Sequence, residues 1–314
     1  MKIITLTLNP AIDVHCHAES FQLYRESVAD VTERDAGGKG INISRALCEV
    51  GVPNIAYVVL GSDNGADFEI QLKGYGINYK ALKIDGRIRE NITLHTDNNP
   101  ETRLSFRGFT ASDMLIDDLE EKISEEITDD TYLTFTGSVP QGISHDRILN
   151  LLEKLSEKGV KLIIDSKSIT KEDLIRIKPF LIKPNEEEVS AYIGYEVQSL
   201  DDCVEGAKLL NNSGIENAMI TLGEKGAMMA ASGEIFFASP AEIKVISTIG
   251  AGDSSIGGFL YAIYNGKDAS ECLKTAVAFG SAACMTRGTK PPSKENIEKI
   301  IKQIKVYQKP AQII

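Results

Sequence analysis

Gly250-Ala251-Gly252-Asp253-Ser254-Ser255-Ile256-Gly257 follows the aliphatic run Ile243–Ile246 and precedes Phe259, Leu260 and Ile263, which recur at helical spacing. The stretch therefore reads as a glycine turn between a strand and a helix. Glycine tolerates the tight backbone of such a turn, and the N–H groups there converge at the positive end of the helix dipole. An anion suits that place, including phosphate oxygens that gather charge during transfer. Asp253, in the first helical turn, is positioned to accept a proton from an attacking hydroxyl. Taken alone, it is equally a helix cap.

The same strand–turn–helix unit recurs outward along the chain. Ile3–Leu8 is a β-rich run that stops at Asn9-Pro10. Gly37-Gly38-Lys39-Gly40 opens a helix carrying Ile41, Ile43, Ala46, Leu47 and Val50. Ala56–Leu60 is a strand and Phe68–Leu72 lies on a helix; Tyr132–Phe135, Ile148–Leu155, Leu162–Ile164, Leu181–Ile182, Val204–Leu210 and Ala218–Leu222 continue the alternation. Such alternation predicts an α/β fold, a mostly parallel central sheet flanked by helices, with residues 1–314 as one domain. Residues 13–35 and 85–110 break the rhythm and read as a small inserted β-sheet, a lid over a cleft. Within it, Glu90–Thr96 and Thr102–Phe106 are predicted to form a hairpin through the turn formers Asp97-Asn98-Asn99-Pro100. The acidic stretch Glu120–Asp130 reads as a solvated helix face. Past Thr248 three helical runs are expected: Ser254–Tyr264, Ala269–Thr286 and Ser293–Val306.

Composition narrows the function. The 314 residues carry 34 Lys+Arg against 45 Asp+Glu, a net charge of −11, which disfavours a general nucleic-acid binder. It leaves room for a small anionic substrate, since a few placed arginines suffice for that. No stretch approaches the roughly 18–20 apolar residues of a membrane span, and the opening ten residues do not read as a signal peptide. Cys16, Cys48, Cys203, Cys272 and Cys284 are odd in number and lack a Cys-x-x-Cys, so free thiols in a reducing, cytoplasmic setting are expected. His15 and His17 flank Cys16, but on a strand the cysteine points away from both and no second cluster completes a zinc site.

Several nucleotide signatures are missing. Neither a Gly-x-x-x-x-Gly-Lys-Ser/Thr loop nor an early Gly-x-Gly-x-x-Gly is present, and no Gly-x-Ser-x-Gly elbow occurs. The glycines at 37–40 allow close approach of a ligand, and Asn42 can donate and accept to sugar hydroxyls. In Lys183-Pro184-Asn185-Glu186-Glu187-Glu188, Asn185 and Glu188 stand three apart at a helix start. They can face one point and hold a hydrated Mg²⁺, or simply cap the helix.

These elements in this order resemble the PfkB (ribokinase-like) family of carbohydrate kinases across essentially the whole chain. The carriers are Thr7-Leu8-Asn9-Pro10-Ala11-Ile12-Asp13, the Gly-Gly-Lys-Gly-Ile-Asn segment, Thr136-Gly137-Ser138-Val139-Pro140, Ile182-Lys183-Pro184-Asn185-x-x-Glu188, Thr221-Leu222-Gly223-Glu224-Lys225-Gly226-Ala227 and Thr248–Ser254. The Asn-Pro opening, the Ser138 segment and Arg89-Glu90-Asn91 look most like the phosphosugar branch, which includes 1-phosphofructokinases and tagatose-6-phosphate kinases. The resemblance implies Asp253 as catalytic base with Gly250, Ala251 and Gly252 as its anion hole. It implies Asp13, Gly38 and Asn42 at the sugar hydroxyls, and Arg89, Arg103 and Ser138 at the sugar's phosphate. Asn185 and Glu188 match the pair that organises Mg²⁺ and the ATP phosphates, Thr221, Gly223 and Gly226 match the nucleotide loop, and Ser281 falls where the adenine pocket is expected.

Arg89 and Arg103 sit on opposite arms of the predicted hairpin, staggered yet able to converge on one face. Two guanidiniums around one anion make a phosphate clamp, although exposed lid charges have the same appearance in sequence. One departure stands out: many members of the branch carry Asn-Arg about ten residues before the glycine cluster, where this chain has Ser27-Val28. The expected activity is ATP- and Mg²⁺-dependent phosphorylation of a ketohexose phosphate, fructose 1-phosphate first, then tagatose 6-phosphate or fructose 6-phosphate. A non-catalytic sugar or nucleotide sensor on the same fold is the alternative of another class. The edges of the inserted sheet invite pairing between subunits, and the family precedent is a homodimer.

Overall fold

The computed structural model describes residues 1–97 and 101–309. From the N-terminus, β1 (Lys2–Thr7), β2 (Ala11–Ala18) and β3 (Asp30–Gly37) lead into α1 (Lys39–Glu49). β4 (Ile55–Gly61), α2 (Gly65–Gly74) and β5 (Tyr79–Ile84) follow, then β6 (Arg89–Thr96) and β7 (Thr102–Leu104). The middle of the chain runs α3 (Met114–Ser124), β8 (Thr131–Thr136), α4 (His145–Glu157), β9 (Lys161–Asp165), α5 (Lys171–Ile177) and β10 (Leu181–Ile182). Next come α6 (Glu186–Ile193), α7 (Leu200–Asn212), β11 (Asn217–Thr221), β12 (Ala227–Ala231) and β13 (Glu234–Ala238). The chain closes with α8 (Ala251–Tyr264), α9 (Ala269–Ala283), α10 (Lys294–Ile300) and β14 (Val306–Lys309).

Two sheets result. The large one has ten strands in the order β14-β13-β12-β11-β10-β9-β8-β1-β4-β5, parallel from β11 to β5 and antiparallel beyond. Its strands are apolar on both faces, and period-two alternation divides their side chains between two cores. Ile3, Tyr132, Ile163, Leu181 and Met219 pack with Phe259, Phe279 and Ile297 of α8, α9 and α10. Their neighbours Ile4, Leu133, Ile164 and Ile220 pack on the opposite face with Ile116, Leu152 and Leu210 of α3, α4 and α7. α8 and α9 approach so closely that a Cβ on Gly258 would lie 2.7 Å from Phe279 Cγ and from the Thr275 carbonyl oxygen.

The small sheet, ordered β3-β2-β6-β7, is built from the two stretches that break the alternation. β2 pairs with β6 in parallel, and β3 and β7 flank them antiparallel. The register sets Ala11 beside Arg89, Asp13 beside Asn91 and Thr93 beside Arg103. Period two therefore puts Asp13, Arg89, Asn91 and Arg103 on one face. The predicted turn at 98–100 lies outside the described residues.

Five expectations need correction. Ile243–Ile246 forms no strand: Val245 and Ile246 are exposed, and the Ile246 N–H donates to the Cys284 carbonyl at 2.8 Å. Both sides of β13 are already occupied, by β12 and β14, so the segment cannot pair beside the strand it follows. The second arm of the hairpin ends at Leu104, short of Phe106. The second helical run stops at Ala283, where Thr286 Oγ1 closes a turn on the Ala283 and Lys290 carbonyls, and the third stops at Ile300, after which Val306–Lys309 extends the sheet along β13. Glu120–Asp130 is helical only to Ser124 and carries ion pairs rather than a merely solvated face. Glu120 meets Arg147 and Lys154, Glu126 meets Lys2 and Lys80, and Asp130 meets Lys161. Among the described residues no helix is long and apolar enough to cross a membrane.

Candidate active site

Parallel strands present their C-terminal ends to one side of a sheet, and ligands collect there. Thr7 ends β1, Thr136 ends β8, Asp165 ends β9, and Lys183 follows β10. All four line a cleft of about 720 Å³ between the large sheet and the inner face of the small one. The lid supplies Asp13, Arg89, Asn91 and Arg103 to the opposite wall.

On the sheet side, Gly250 takes φ 78° and caps α8. The N–H groups of the first turn behind it have no intrahelical acceptors. Gly250, Gly252 and Asp253 face the cleft; Ala251 does not line it, and its carbonyl accepts from Ser255 Oγ at 3.0 Å. Asp253 is buried and does not cap its own helix. Its Oδ2 accepts instead from Asn42 Nδ2 at 2.8 Å. Burial pushes the carboxyl up to about 6, with Asp165 adding to the rise while Lys39, the Asn42 hydrogen bond and Lys183 oppose it. A carboxyl tuned to that range is ionised at neutral pH and still basic enough to take a proton.

Beside it stands a charged cluster that sequence reading left undecided or missed. Lys39 Nζ donates to Asp165 Oδ2 at 2.9 Å, and Lys183 Nζ lies 3.6 Å from the same oxygen. Burial works against the charge on Asp165, but the two lysines outweigh it and hold its pKa below the usual range. Burial likewise works against Lys39, and Asp165 and Asp253 outweigh it. Lys183 also abuts the glycine turn, since a Cβ on Gly252 would lie 3.0 Å from its Nζ. Asp165 carried a legible signal, a charge at the end of the run Leu162-Ile163-Ile164. Lys183 carried only its place after a two-residue strand.

The lid wall is built around Asp13. Its Oδ1 accepts from Asn91 Nδ2 at 3.0 Å and from Arg103 Nη2 at 2.8 Å. Arg89 is anchored through backbone carbonyls, those of Asn9 at 3.2 Å and Phe106 at 3.0 Å. Burial lowers its pKa, Asp13 counteracts, and nearby Arg103 lowers it further, so the two guanidiniums share one region. Ser138 Oγ accepts from Asn9 Nδ2 at 3.1 Å, at the rim where Gly38, with φ 122°, opens α1. Five buried oxygens of cleft residues have no hydrogen-bond partner: Thr7 Oγ1, Asn9 Oδ1, Asn42 Oδ1, Asn91 Oδ1 and Thr136 Oγ1. Two of them are packed against glycine backbone: a Cβ on Gly40 would lie 2.4 Å from Thr7 Oγ1 and one on Gly108 would lie 2.5 Å from Asn9 Oδ1.

The remaining predicted residues lie outside the main cleft. Asn185 and Glu188 make a reciprocal capping box at α6: Asn185 Oδ1 accepts from the Glu188 N–H at 2.8 Å and Glu188 Oε2 from the Asn185 N–H at 3.1 Å. The Thr221 N–H donates to the Pro184 carbonyl at 3.0 Å, which brings Thr221 beside Asn185. Gly223 and Gly226 turn the following loop at φ 58° and 99°. Ser281 lies half-buried on α9 next to Gly280, which packs against Ser255 of α8. None of these six residues lines the main cleft. Glu188 is connected to it through a small side cavity shared with Asp165, Lys183 and Tyr192.

The pfkB family carbohydrate kinase profile matches residues 9–296. A 1-phosphofructokinase of Haemophilus influenzae is 31% identical over 288 residues, covering 90% of each chain. A tagatose-6-phosphate kinase of Staphylococcus epidermidis is 28% identical over 98% of this chain and 99% of its own. Among solved structures, phosphofructokinase-2 from Escherichia coli, in complex with substrates and products, superposes with a TM-score of 0.90 at 27% identity. That match covers 96% of this chain and 99% of the other.

Proposed function

The chain belongs to the pfkB family of carbohydrate kinases, and we propose that, as an ATP-dependent sugar kinase, it phosphorylates a free hydroxyl of a ketohexose phosphate, with fructose 1-phosphate as the first substrate. The observation that carries this reading is the pairing, across one cleft, of a buried carboxylate at a glycine turn with two lid arginines around Asp13. Curated relatives named for fructose 1-phosphate and tagatose 6-phosphate chemistry support the same substrate class.

In this reading Arg103 and Arg89, with Ser138, hold the phosphate already on the sugar. Guanidiniums suit that task because their planar donors match phosphate oxygens. Asp13, Gly38 and Asn42 hold the sugar hydroxyls. Anchored at both ends, the free hydroxyl meets Asp253, which takes its proton as the oxygen attacks the γ-phosphorus and the bond to ADP breaks. The N–H groups of Gly250 and Gly252, with Lys39 and Lys183 nearby, stabilise the charge on the transferring oxygens, while the Ala251 N–H is already donated to the Thr248 carbonyl at 3.3 Å. Positioning and electrostatics of this kind supply most of the acceleration in phosphoryl transfer. Thr221, Gly223, Gly226 and Ser281 form the nucleotide side.

The donor set also fits a hydrated Mg²⁺. The capping box uses Glu188 Oε2 and leaves Oε1 outside it, and Asp165 lines the same side cavity. A cation that keeps most of its waters needs only one or two such carboxylates. When bound with ATP it neutralises charge on the β- and γ-phosphates. Asn185 then serves by orienting Glu188.

A cytoplasmic homodimer joined through the lid completes the proposal. Val28, Val31, Leu104 and Phe106 are 83, 63, 58 and 52% exposed on or beside the lid's edge strands β3 and β7, an apolar rim that a second lid would cover. The substrate is tested by coupled ADP release across fructose 1-phosphate, fructose 6-phosphate, tagatose 6-phosphate, fructose and ribose. Fructose 1-phosphate is expected to give the highest kcat/KM; turnover confined to the unphosphorylated sugars would overturn the phosphate clamp.

A further inference from the structure

Three consecutive residues after α9 each touch the lid or its root. Gly288 lies against the His15 ring of β2, so close that a Cβ there would sit 2.9 Å from Nε2. Thr289 Oγ1 accepts from Arg45 Nη1 at 3.4 Å. Lys290 pairs with Glu33 of β3. The same loop also packs on the turn ahead of Asp253: a Cβ on Gly250 would lie 3.7 Å from Thr289 Cα.

Arg45 is the centre of this junction. It lies on α1, 5% exposed, and it does not line the cleft. Its Nη2 is 3.8 Å from Asp35 Oδ1, and its guanidinium carbon stands 3.9 Å over the Tyr75 ring. Tyr75 Oη in turn donates to Asp35 Oδ1 at 2.8 Å. Asp35 sits on β3 directly opposite Asp13 of β2. Next along, the Ala36 N–H donates to Gln71 Oε1 at 2.6 Å. The buried cation is thus compensated by the lid strand, by the aromatic face after α2 and by the cleft loop together. Removing any partner leaves charge or polarity unmatched, which makes such a network stiff.

We infer that Arg45 is a positioning residue that couples the sugar side of the cleft to the phosphate side. The inference rests on the kinase reading above. A sugar that orders Asp13 orders β3 beside it, and with it Asp35. Arg45 then holds Thr289, and the loop, against Gly250. The nucleotide meets a turn whose ordering has already been supplied, so each substrate binds more tightly in the presence of the other.

The test is calorimetric titration of AMP-PNP with Mg²⁺, without and with saturating sugar phosphate, using whichever ketohexose phosphate the wild type turns over. The wild type is expected to bind the nucleotide at least about fivefold more tightly with the sugar present. Thr289→Val, which removes the acceptor for Arg45, should bring the ratio to within twofold of one, and Thr289→Ser, which keeps it, should preserve it. Arg45→Lys keeps the charge beside Asp35 but not the reach to Thr289, and is expected to behave like Thr289→Val. It decides the matter should Thr289→Val not fold. A wild-type ratio of one, or an unchanged ratio in both Thr289→Val and Arg45→Lys, overturns the coupling while leaving the kinase reading intact. A wild type that neither binds nucleotide nor turns over any sugar overturns the kinase reading and the coupling with it.

Discussion

Asn42 Nδ2 donates to Asp253 Oδ2 at 2.8 Å, joining the first helix of the fold to a helix 211 residues later. The bond engages one carboxylate oxygen and keeps Asp253 from turning back to cap its own helix. Asn42 itself is buried and lines the cleft, so the amide that aims the carboxylate is held in the cleft wall.

Replacing Asp253 by Asn keeps the shape of the site and removes its proton acceptor. Steady-state kinetics should show kcat lower by at least ~10²-fold. The Kd for AMP-PNP, measured by calorimetry, should stay within threefold. Full activity in this variant would rule out Asp253 as the base.

With Asp253 as the base, its carboxyl, pushed up to about 6, should set the acid limb of the pH profile. A base works only when deprotonated, so kcat/KM should climb tenfold per pH unit below about pH 6 and level off above it. Asn42→Ala removes a bond that favours the ionised form, so its limb should move to higher pH. A limb that stays in place would separate it from Asp253.

The same raised pKa has a cost in stability. Between about pH 4 and pH 6 the folded chain retains a proton that the unfolded chain has released, so stability falls as pH rises through that window. Above pH 6 the full penalty is present, of order 2–3 kcal/mol. Asp253→Asn is therefore expected to raise Tm at pH 7.5 and to lose that advantage near pH 4, as thermal melts at the two pH values will show.

Arg103→Ala deletes the donor that bridges Asp13 to the expected phosphate position. The KM for the sugar phosphate should rise at least about tenfold, as expected for a lost charge-assisted contact. The KM for ATP should change less than about twofold. Equal rises in both would point to general disorder of the lid.

Gly258→Ala tests packing away from the chemistry. The added methyl meets Phe279 and the Thr275 carbonyl, so urea unfolding should show a loss of about 1–3 kcal/mol. Kinetic constants of the folded enzyme should remain near wild type. An unchanged midpoint would mean that α8 and α9 can separate freely.

The inserted sheet was legible because its residues break the helical spacing on either side, and the inward face of Asp13, Arg89 and Arg103 follows from pairing register once the strands are known. The missing strand at Ile243–Ile246 shows the limit. Its β-branched run is suitable, yet Val245 and Ile246 are exposed, the Ile246 N–H donates to the Cys284 carbonyl, and β12 and β14 already flank the preceding β13. Asn185 and Glu188 show another: both uses foreseen for them begin from the same spacing, and in the fold Asn185 Oδ1 and Glu188 Oε2 accept from backbone N–H groups while Glu188 Oε1 lies outside the cap.

Sequence by itself determined the alternation of strands and helices, the glycine turns at 37–40 and 250–252, and the placing of Asp253 in a first helical turn. Those features depend on backbone sterics and on periodicity within a few residues. Only the tertiary structure decided that Asp165, Lys39 and Lys183 surround Asp253, that Arg103 leans on Asp13, and that Arg45 ties lid to loop. Burial and Coulomb energy depend on distance in space, and these partners are separated by tens to hundreds of residues along the chain.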